Sequence, residues 1–426
     1  MQSTLKLVKN PMSYRYVVFG LIALAYIMVY FHRTSTAVMA PDLTTTFGLN
    51  TKDMGLFGSM YFYAYAMCQL PAGILADRWG ARETTSVSML LASVATFLLV
   101  LSRTFEQALL SRFLVGMGVA FIYVCGMRLL ADWFRKDEFA TFSGIFVAIG
   151  NAGSLASAAP LVALMALVGW RGALTVSGAL TVLIAALLFS LLRNKPADAG
   201  LPAGEAIENI QRPALPVMGI AETLGIVIRK YNFWTIALLF FVLYGSQMGF
   251  QGLWAGPYLM NVYHMTNAQA GKMLMLIPAG LIVGCPIAGI IADRIIKSKK
   301  SVIIFGVVLN LCILLLLITK IDSLSWRLLQ VLMFSYGFSC GFEVVIWTNL
   351  RENVDLSIFG ISAGFTNIFV FSGGAIYQLL MGRIISRAPV VDGVISASGF
   401  KSAFMFCAVS LILALSFFVT QKKCET

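Results

Sequence analysis

Ionisable side chains inside long apolar stretches are the residues of this chain with the most evident chemistry. Arg33, Arg128 and Glu343 lie in such stretches. An arginine at the centre of a bilayer costs about 2.5–3.5 kcal/mol on insertion scales, so it survives where it is paired or faces a wet cavity. Because the planar guanidinium binds carboxylate and phosphate through two parallel hydrogen bonds, Arg33 and Arg128 are candidate anion-binding residues. The alternative for both is a structural role, with Arg33 bonded to backbone carbonyls.

Glu343 and His32 are the candidates for moving a proton. Burial favours a neutral carboxylic acid, whereas an adjacent arginine favours the carboxylate. If a bound anion occupied an arginine that otherwise pairs with Glu343, the carboxylate would take up a proton. An unperturbed imidazole titrates near neutral pH, which makes His32 the second candidate. The alternatives are a structural ion pair for Glu343 and a packing role for His32.

Amide and aromatic side chains could complete a binding site for a small polar solute. Gln247, Gln251 and Trp254 recur at about one helical turn, so we predict that they share one face of a helix. The same stripe would also suit ordinary helix packing. Further candidates in other apolar stretches are Tyr30, Tyr65 and Asn367.

The sequence argues against an enzyme, a metal site and a cofactor site. The two histidines, His32 and His264, lie in different halves of the chain, and no ligand cluster or phosphate-binding loop accompanies them. The seven cysteines are spread singly, which indicates no disulfide or metal framework. We therefore predict a protein without catalytic residues or cofactors.

The stretches that hold these residues have the length and composition of membrane-spanning helices. Hydrophobic residues make up 59% of the 426 residues, charged residues 12%, and the mean hydropathy is +0.85. A spanning helix needs about 20 consecutive apolar residues. We predict an all-α integral membrane protein with twelve transmembrane helices, whose cores lie near 16–40, 54–75, 84–102, 106–130, 139–165, 170–192, 233–260, 270–293, 302–319, 327–349, 357–382 and 401–420.

The net charge of +12 follows membrane topology and does not indicate a nucleic-acid-binding protein. Most lysines and arginines fall in loops on the side that holds both termini, which predicts cytoplasmic termini and an inner-membrane location. The longest polar loop, 193–232, contains four prolines. We predict that it links two six-helix bundles, 1–192 and 233–426, in a monomer that contacts lipid but no nucleic acid.

Short segments recur half a chain apart, which indicates an internal duplication. Gly73–Arg78 reads Gly-Ile-Leu-Ala-Asp-Arg and returns as Gly-Ile-Ile-Ala-Asp-Arg at Gly289–Arg294, an offset of 216 positions (289 − 73). Arg128 and Glu343 stand at nearly the same offset (343 − 128 = 215). We therefore predict two pseudo-symmetric bundles that present these opposite charges at one depth.

The segment Gly73–Arg82 resembles the cytoplasmic signature loop of the major facilitator superfamily, and the resemblance covers the whole chain. It implies a secondary transporter in which helices one, four, seven and ten line a central cavity. It also implies that charge clusters latch the outward-open state, so we expect Asp77→Asn to shift the population inward-open. Arg112 opens a segment that resembles the family's helix-four motif. The predicted gating residues are Asp77, Arg78, Arg82, Asp293, Arg294 and Arg112.

Within that superfamily, the chain resembles the anion:cation symporter family. Arg33 in helix one and the run from Arg128 to Trp133 and Phe134 carry this resemblance. It implies a small organic anion, such as a carboxylate or sugar acid, as the substrate and protons as the coupling ion. The family commonly has an acid where this chain has His32, so Glu343 becomes the candidate for proton coupling.

Three alternatives stay open at this stage. An exporter of amphiphilic or drug-like compounds would prefer an acid to an arginine in its cavity, and its subgroup carries a Gly-Pro pair that helix five lacks. The second alternative is an antiporter of organophosphates and phosphate. The third is a solute sensor of the same fold that transports nothing.

Overall fold

The computed structural model describes residues 14–199, 220–296, 298–354, 359–391 and 394–422, which fold into twelve long helices. In the first half, helix one is Tyr14–Thr34 with Thr36–Phe47, helix two Thr51–Met67 with Gln69–Arg78, helix three Ala81–Leu101, and helix four Phe105–Val119 with Ile122–Trp133. Helix five is Lys136–Ala156 and continues into Ala159–Leu191, which turns at Gly169 (φ 70°) to become helix six. A 3-10 turn, Pro196–Ala199, follows.

The second half repeats this arrangement. Helix seven comprises Tyr231–Gly249, Phe250–Trp254 and Ala255–Val262, and helix eight comprises Asn267–Leu274, Leu276–Ile290 and Ile291–Ile295. Helix nine is Lys299–Thr319, helix ten Trp326–Cys340, Gly341–Glu343 and Val344–Asn353, helix eleven Phe359–Ile385, and helix twelve Ala397–Val419. The linker contains the helix Ile220–Arg229, and a hairpin, Val390–Val391 with Val394–Ile395, precedes helix twelve.

The helices have the composition of membrane spans. Ten helical stretches in the described part of the chain are long and apolar enough to cross a bilayer. Ala159–Leu191 is one of these ten, although it contains the end of helix five and the whole of helix six. Large apolar side chains stay exposed on the outside, among them Leu101, Leu167 and Leu413. Such a surface suits lipid and not water. The predicted all-α membrane fold is therefore confirmed.

Both ends of the described chain lie on one face of the molecule, which we call the terminal face. Trp133, at the end of helix four, donates its indole N–H to the carbonyl of Arg193 after helix six (3.2 Å). At the start of helix seven, Asn232 donates to the carbonyl of Lys422 after helix twelve (3.0 Å). We call the other side of the molecule the opposite face.

Helices that start at the opposite face begin with capping side chains. The Asn50 side chain accepts the Asp53 N–H, and Thr266 accepts the N–H of Gln269, each within a full capping box. Such caps contribute about 1 kcal/mol each. Asn50 and Thr266 are 216 positions apart (266 − 50), so the caps follow the internal repeat. Other side-chain caps on this face are Thr104, Ser325 and Ser396.

The two halves meet along a glycine-lined seam near the opposite face. Helix two packs along helix eleven, where a Cβ added at Gly55 would lie 2.8 Å from the carbonyl oxygen of Gln378. A Cβ at Gly256 in helix seven would lie 2.1 Å from the carbonyl oxygen of Ala37 in helix one. Only glycine permits such close backbone approach.

The seam opens toward the terminal face. Midway along it, the rings of Tyr65 in helix two and Phe371 in helix eleven lie with centroids 4.0 Å apart. About two turns further on, a Cβ added at Gly73 or Gly364 would meet no described atom within 4 Å. The halves are therefore sealed near the opposite face and separate toward the terminal face.

We expect Gly256→Val to prevent this seal from closing. The new side chain would press on the backbone of Ala37, which cannot yield without separating helices one and seven. A cysteine placed at Thr51, which contacts Gly382 across the seam, should then react faster with a membrane-impermeant thiol reagent. Gly73→Ala, where space is open, is the matched control. Equal labelling rates in the Gly256→Val and parent proteins would refute the seal.

Candidate functional site

Arg33 lies within helix one, two residues before the interruption at Ser35, and is only 3% exposed. Its guanidinium carbon lies 4.5 Å from the ring centroid of Tyr30, 5.4 Å from that of Tyr65 and 5.4 Å from that of Phe371. These rings come from helices one, two and eleven, so both halves contribute. A desolvated cation over an aromatic face gains about 2 kcal/mol or more.

In the described structure, Arg33 forms no salt bridge with a carboxylate. Within the described ranges, no aspartate or glutamate oxygen lies within 4.0 Å of its guanidinium, and its buried Nε has no hydrogen-bond partner. The nearby hydroxyl of Tyr61 donates to the carbonyl of Val29 (3.1 Å). Aromatic rings offset only part of a buried charge. The arrangement is suited to an anionic ligand that supplies the counter-charge.

Glu343 lies at a break in helix ten. The 3-10 turn Gly341–Glu343 interrupts the helix where it packs closely on helix eight. A Cβ added at Gly337 would lie 1.8 Å from the carbonyl oxygen of Ile277, and one at Gly341 would lie 2.6 Å from the amide nitrogen of Cys285. This close glycine packing fixes the position of the Glu343 backbone.

The Glu343 side chain lines the space between the two halves. It is surrounded by protein yet keeps some accessible surface, as expected of a group on the wall of an internal cavity. Its carboxylate interacts electrostatically with Arg33, and Tyr30 and Tyr244 lie within electrostatic range of both. The Tyr244 hydroxyl and Glu343 Oε2 are buried without a hydrogen-bond partner among the described residues. We call Arg33, Tyr30, Tyr244 and Glu343 the central site.

Helix seven departs from the predicted single face. Gln247 Nε2 donates to Gln251 Oε1 (3.4 Å), and Gln247 Oε1 is unsatisfied within the described structure, as a solute-facing amide would be. The π-helical turn Phe250–Trp254 then adds a residue to the helical repeat. Trp254 consequently points into the seam and donates its indole N–H to the carbonyl of Gln378 (3.1 Å). The prediction that Trp254 shares the Gln247 face is wrong.

Arg128 and Asn367 lie toward the terminal face. Arg128 pairs with Asp132 one turn away (3.4 Å), and both side chains are partly exposed. Arg33 and Arg128 make no contact with each other in the described part of the chain, and the charge that acts on Glu343 is that of Arg33. Asn367 is partly exposed, one turn from Phe371. Substrate binding by these two residues stays a prediction.

His32 and Arg112 lie away from the central site. His32 is 2% exposed and points from helix one into the interior of the first six helices, where it lines a small cavity with Arg112. The guanidinium carbon of Arg112 lies 4.9 Å from the ring centroid of Tyr61 and 5.7 Å from that of Phe57. Helix four begins at the opposite face and Arg112 is buried there, away from the terminal-face loops that hold the other predicted gating residues, so its part in gating stays a prediction.

The other predicted gating residues lie at the terminal face. The Arg82 guanidinium donates to the carbonyl of Phe189 at the end of helix six (3.0 and 2.6 Å). Asp293 pairs with Lys299, and Arg78 and Arg294 are exposed. The side chain of Asp77 lies outside the described residues. Their part in gating stays a prediction.

Sequence reasoning missed two members of this environment. Phe371 covers Arg33 from the other half, and nothing in the spacing of helix eleven indicates it. Tyr244 could have been found, because Tyr30–Arg33 and Tyr244–Gln247 correspond in the internal repeat. The repeat therefore places Gln247 at the position equivalent to Arg33.

Comparison with known proteins identifies the fold. Among solved structures, a bacterial homolog of the human lysosomal transporter Spinster, in an inward-facing and unoccupied conformation, superposes with a TM-score of 0.78. The alignment covers 97% of this chain and 99% of that one at 17% sequence identity.

Curated relatives match over nearly the full length. A probable hexose phosphate transport protein of Chlamydia trachomatis is 24% identical, covering 96% of this chain and 92% of its own. A D-galactonate transporter of Escherichia coli is 25% identical, covering 96% of both chains. The family model of the Major Facilitator Superfamily matches residues 22–378. The chain is therefore a membrane transporter and not an enzyme, and it belongs to the major facilitator superfamily.

Proposed function

We propose that this protein is a secondary transporter of a small organic anion, a carboxylate of the sugar-acid type, moved together with protons by alternating access. The observation that carries the proposal is Arg33, a buried guanidinium at the junction of the two halves with no fixed counter-charge in the described structure. A carboxylate is the ligand that this planar donor binds best in two-point geometry. The named D-galactonate relative supports the same substrate class.

The charge around the central site favours a monoanion. Arg33 contributes one positive charge, and Glu343 lies within electrostatic range of it. A carboxylate bound to Arg33 would be the hydrogen-bonded counter-charge that Glu343 does not supply, and protonation of Glu343 would then remove the repulsion between the two acids. A doubly charged phosphate ester would leave a net negative charge in the closed cavity. The hexose phosphate relative makes that class the second candidate.

The proposed mechanism is a rocking of residues 1–192 against 233–426 about the central site, with 193–232 as the linker. The seam sealed at the opposite face and open at the terminal face supports inward-open access if the termini are cytoplasmic, as the positive charges of the terminal-face loops favour. In the outward-open state, the clusters around Asp77 and Asp293 would latch the terminal face. The proposed location is the inner membrane.

Uptake into proteoliposomes tests the substrate and the coupling together. With an imposed gradient that is alkaline inside, we expect labelled galactonate to accumulate, and we expect a protonophore to abolish the accumulation. Galactonate at 100 times its Kd should also stabilise the purified protein against unfolding by about 2.7 kcal/mol. Exchange of phosphate for hexose phosphate without any galactonate uptake would overturn the carboxylate assignment.

A further inference from the structure

A second cavity lies inside the first six helices, separate from the central site. Its volume is about 10 Å³, enough for one occupant the size of a water molecule. Side chains of helices one, two, three, four and six line it, and His32 and Arg112 are its basic members. Most of the remaining wall is apolar, as at Leu43, Leu99 and Val115.

Both basic side chains line this cavity and have a buried nitrogen without a partner among the described residues. His32 is 2% exposed and Arg112 is 3% exposed. His32 Nε2 and Arg112 Nε are buried without a hydrogen-bond partner in the part of the chain that the structure describes. In that same part, no carboxylate lies within 4.0 Å of the Arg112 guanidinium. Among the described residues, the charged Arg112 guanidinium therefore has no counter-charge.

The neighbouring groups do not supply the missing charge. Thr96 donates its hydroxyl to the carbonyl of Ala92 in its own helix (2.8 Å), and Ser35 donates to that of His32 (3.3 Å). The rings of Tyr61 and Phe57 offset the guanidinium charge only in part. A water molecule would satisfy one donor and leave the charge uncompensated.

We propose that this cavity binds a monoatomic inorganic anion such as chloride, held by the Arg112 guanidinium and the Nε2–H of His32. A cavity of this volume is too small for a carboxylate or phosphate, whereas a halide is little larger than water and accepts hydrogen bonds from any direction. Because the cavity adjoins the interruption of helix one at Ser35, the anion would join helix one to helix four. The bound ion would thereby stabilise the first bundle independently of any substrate at Arg33.

Halide-dependent stability tests the proposal. Thermal unfolding of the purified protein is followed while chloride replaces methanesulfonate at constant ionic strength. We expect the midpoint to rise saturably with chloride in the wild type and equally in Arg33→Ala, in which the central site cannot contribute. In Arg112→Gln the rise should be lost. Arg171→Gln is the matched control, since Arg171 donates to the carbonyls of Val100 and Ser102 outside the cavity, and it should keep the full rise.

A second measurement does not depend on the folding of any variant. Anomalous diffraction from wild-type crystals grown with bromide should show a peak between His32 and Arg112. An empty anomalous map at that position, no chloride effect in the wild type, or an unchanged effect in Arg112→Gln would each overturn the halide site. None of these results would bear on galactonate transport, so the two proposals fail separately.

Discussion

Replacing Arg33 by alanine is expected to lower substrate affinity by at least about 100-fold. The change removes two charge-assisted hydrogen bonds, together worth about 3 kcal/mol or more. Because no described carboxylate lies within 4.0 Å of the Arg33 guanidinium, the change breaks no salt bridge, and the protein should remain folded. Binding is measured by the substrate-induced shift in thermal unfolding, and folding by the midpoint without substrate.

Arg33→Lys should bind almost as poorly as the alanine variant. An ammonium keeps the charge over Tyr30, Tyr65 and Phe371 but cannot reproduce the planar two-point donor. The matched control is Arg327→Ala, which removes an exposed arginine at the start of helix ten and should bind normally. Wild-type affinity in Arg33→Ala would exclude Arg33 from the substrate site.

Glu343→Gln is expected to separate exchange from accumulation. Glutamine has nearly the shape of the protonated acid but cannot release a proton. Preloaded vesicles should therefore still exchange labelled substrate, whereas accumulation driven by a pH gradient should fall to the level of equilibration. Both fluxes are measured in the same proteoliposomes, with the pH gradient present or absent.

Glu352→Gln is the control for this experiment, because it changes an exposed glutamate further along helix ten. It should accumulate substrate as the wild type does. If Glu343→Gln retained full pH-driven accumulation, Glu343 would be a structural residue. His32 would then be the next residue to test for proton coupling, although it faces the cavity of Arg112 and not the central site.

The helices could be predicted from sequence because each is a long apolar run between polar loops. Capping residues such as Asn50 and Thr266 define where two of them begin. The breaks within the helices were harder to predict. The π-helical turn at Phe250–Trp254 contains no proline, so the spacing of Gln247, Gln251 and Trp254 predicted the face of a regular α-helix, which this turn interrupts.

The site was predictable only as far as single helices determine it. Arg33 and Glu343 could be found because a charged side chain inside a membrane-spanning helix is unfavourable and therefore marks a functional or structural site. The residues around them depend on how the two halves pack together, which the sequence of a single helix does not specify. Phe371 covers Arg33 from the other half for this reason. The motif that begins at Arg112 likewise does not specify that its side chain packs inside the first six helices.

The glycine-lined seam also affects the relative populations of the two conformations, the one with the opposite face sealed and the one with it open. At the sealed face, Gln378 Oε1 lies against Gly58, buried and without a donor in the described structure. An unsatisfied buried acceptor is unfavourable by about 1–3 kcal/mol, which water would recover once the seam parts. This unfavourable contribution offsets part of the free energy that close packing contributes to the sealed state. If every polar group in the seam were hydrogen-bonded, the sealed state would be more stable, and reopening of the seam would limit the turnover rate.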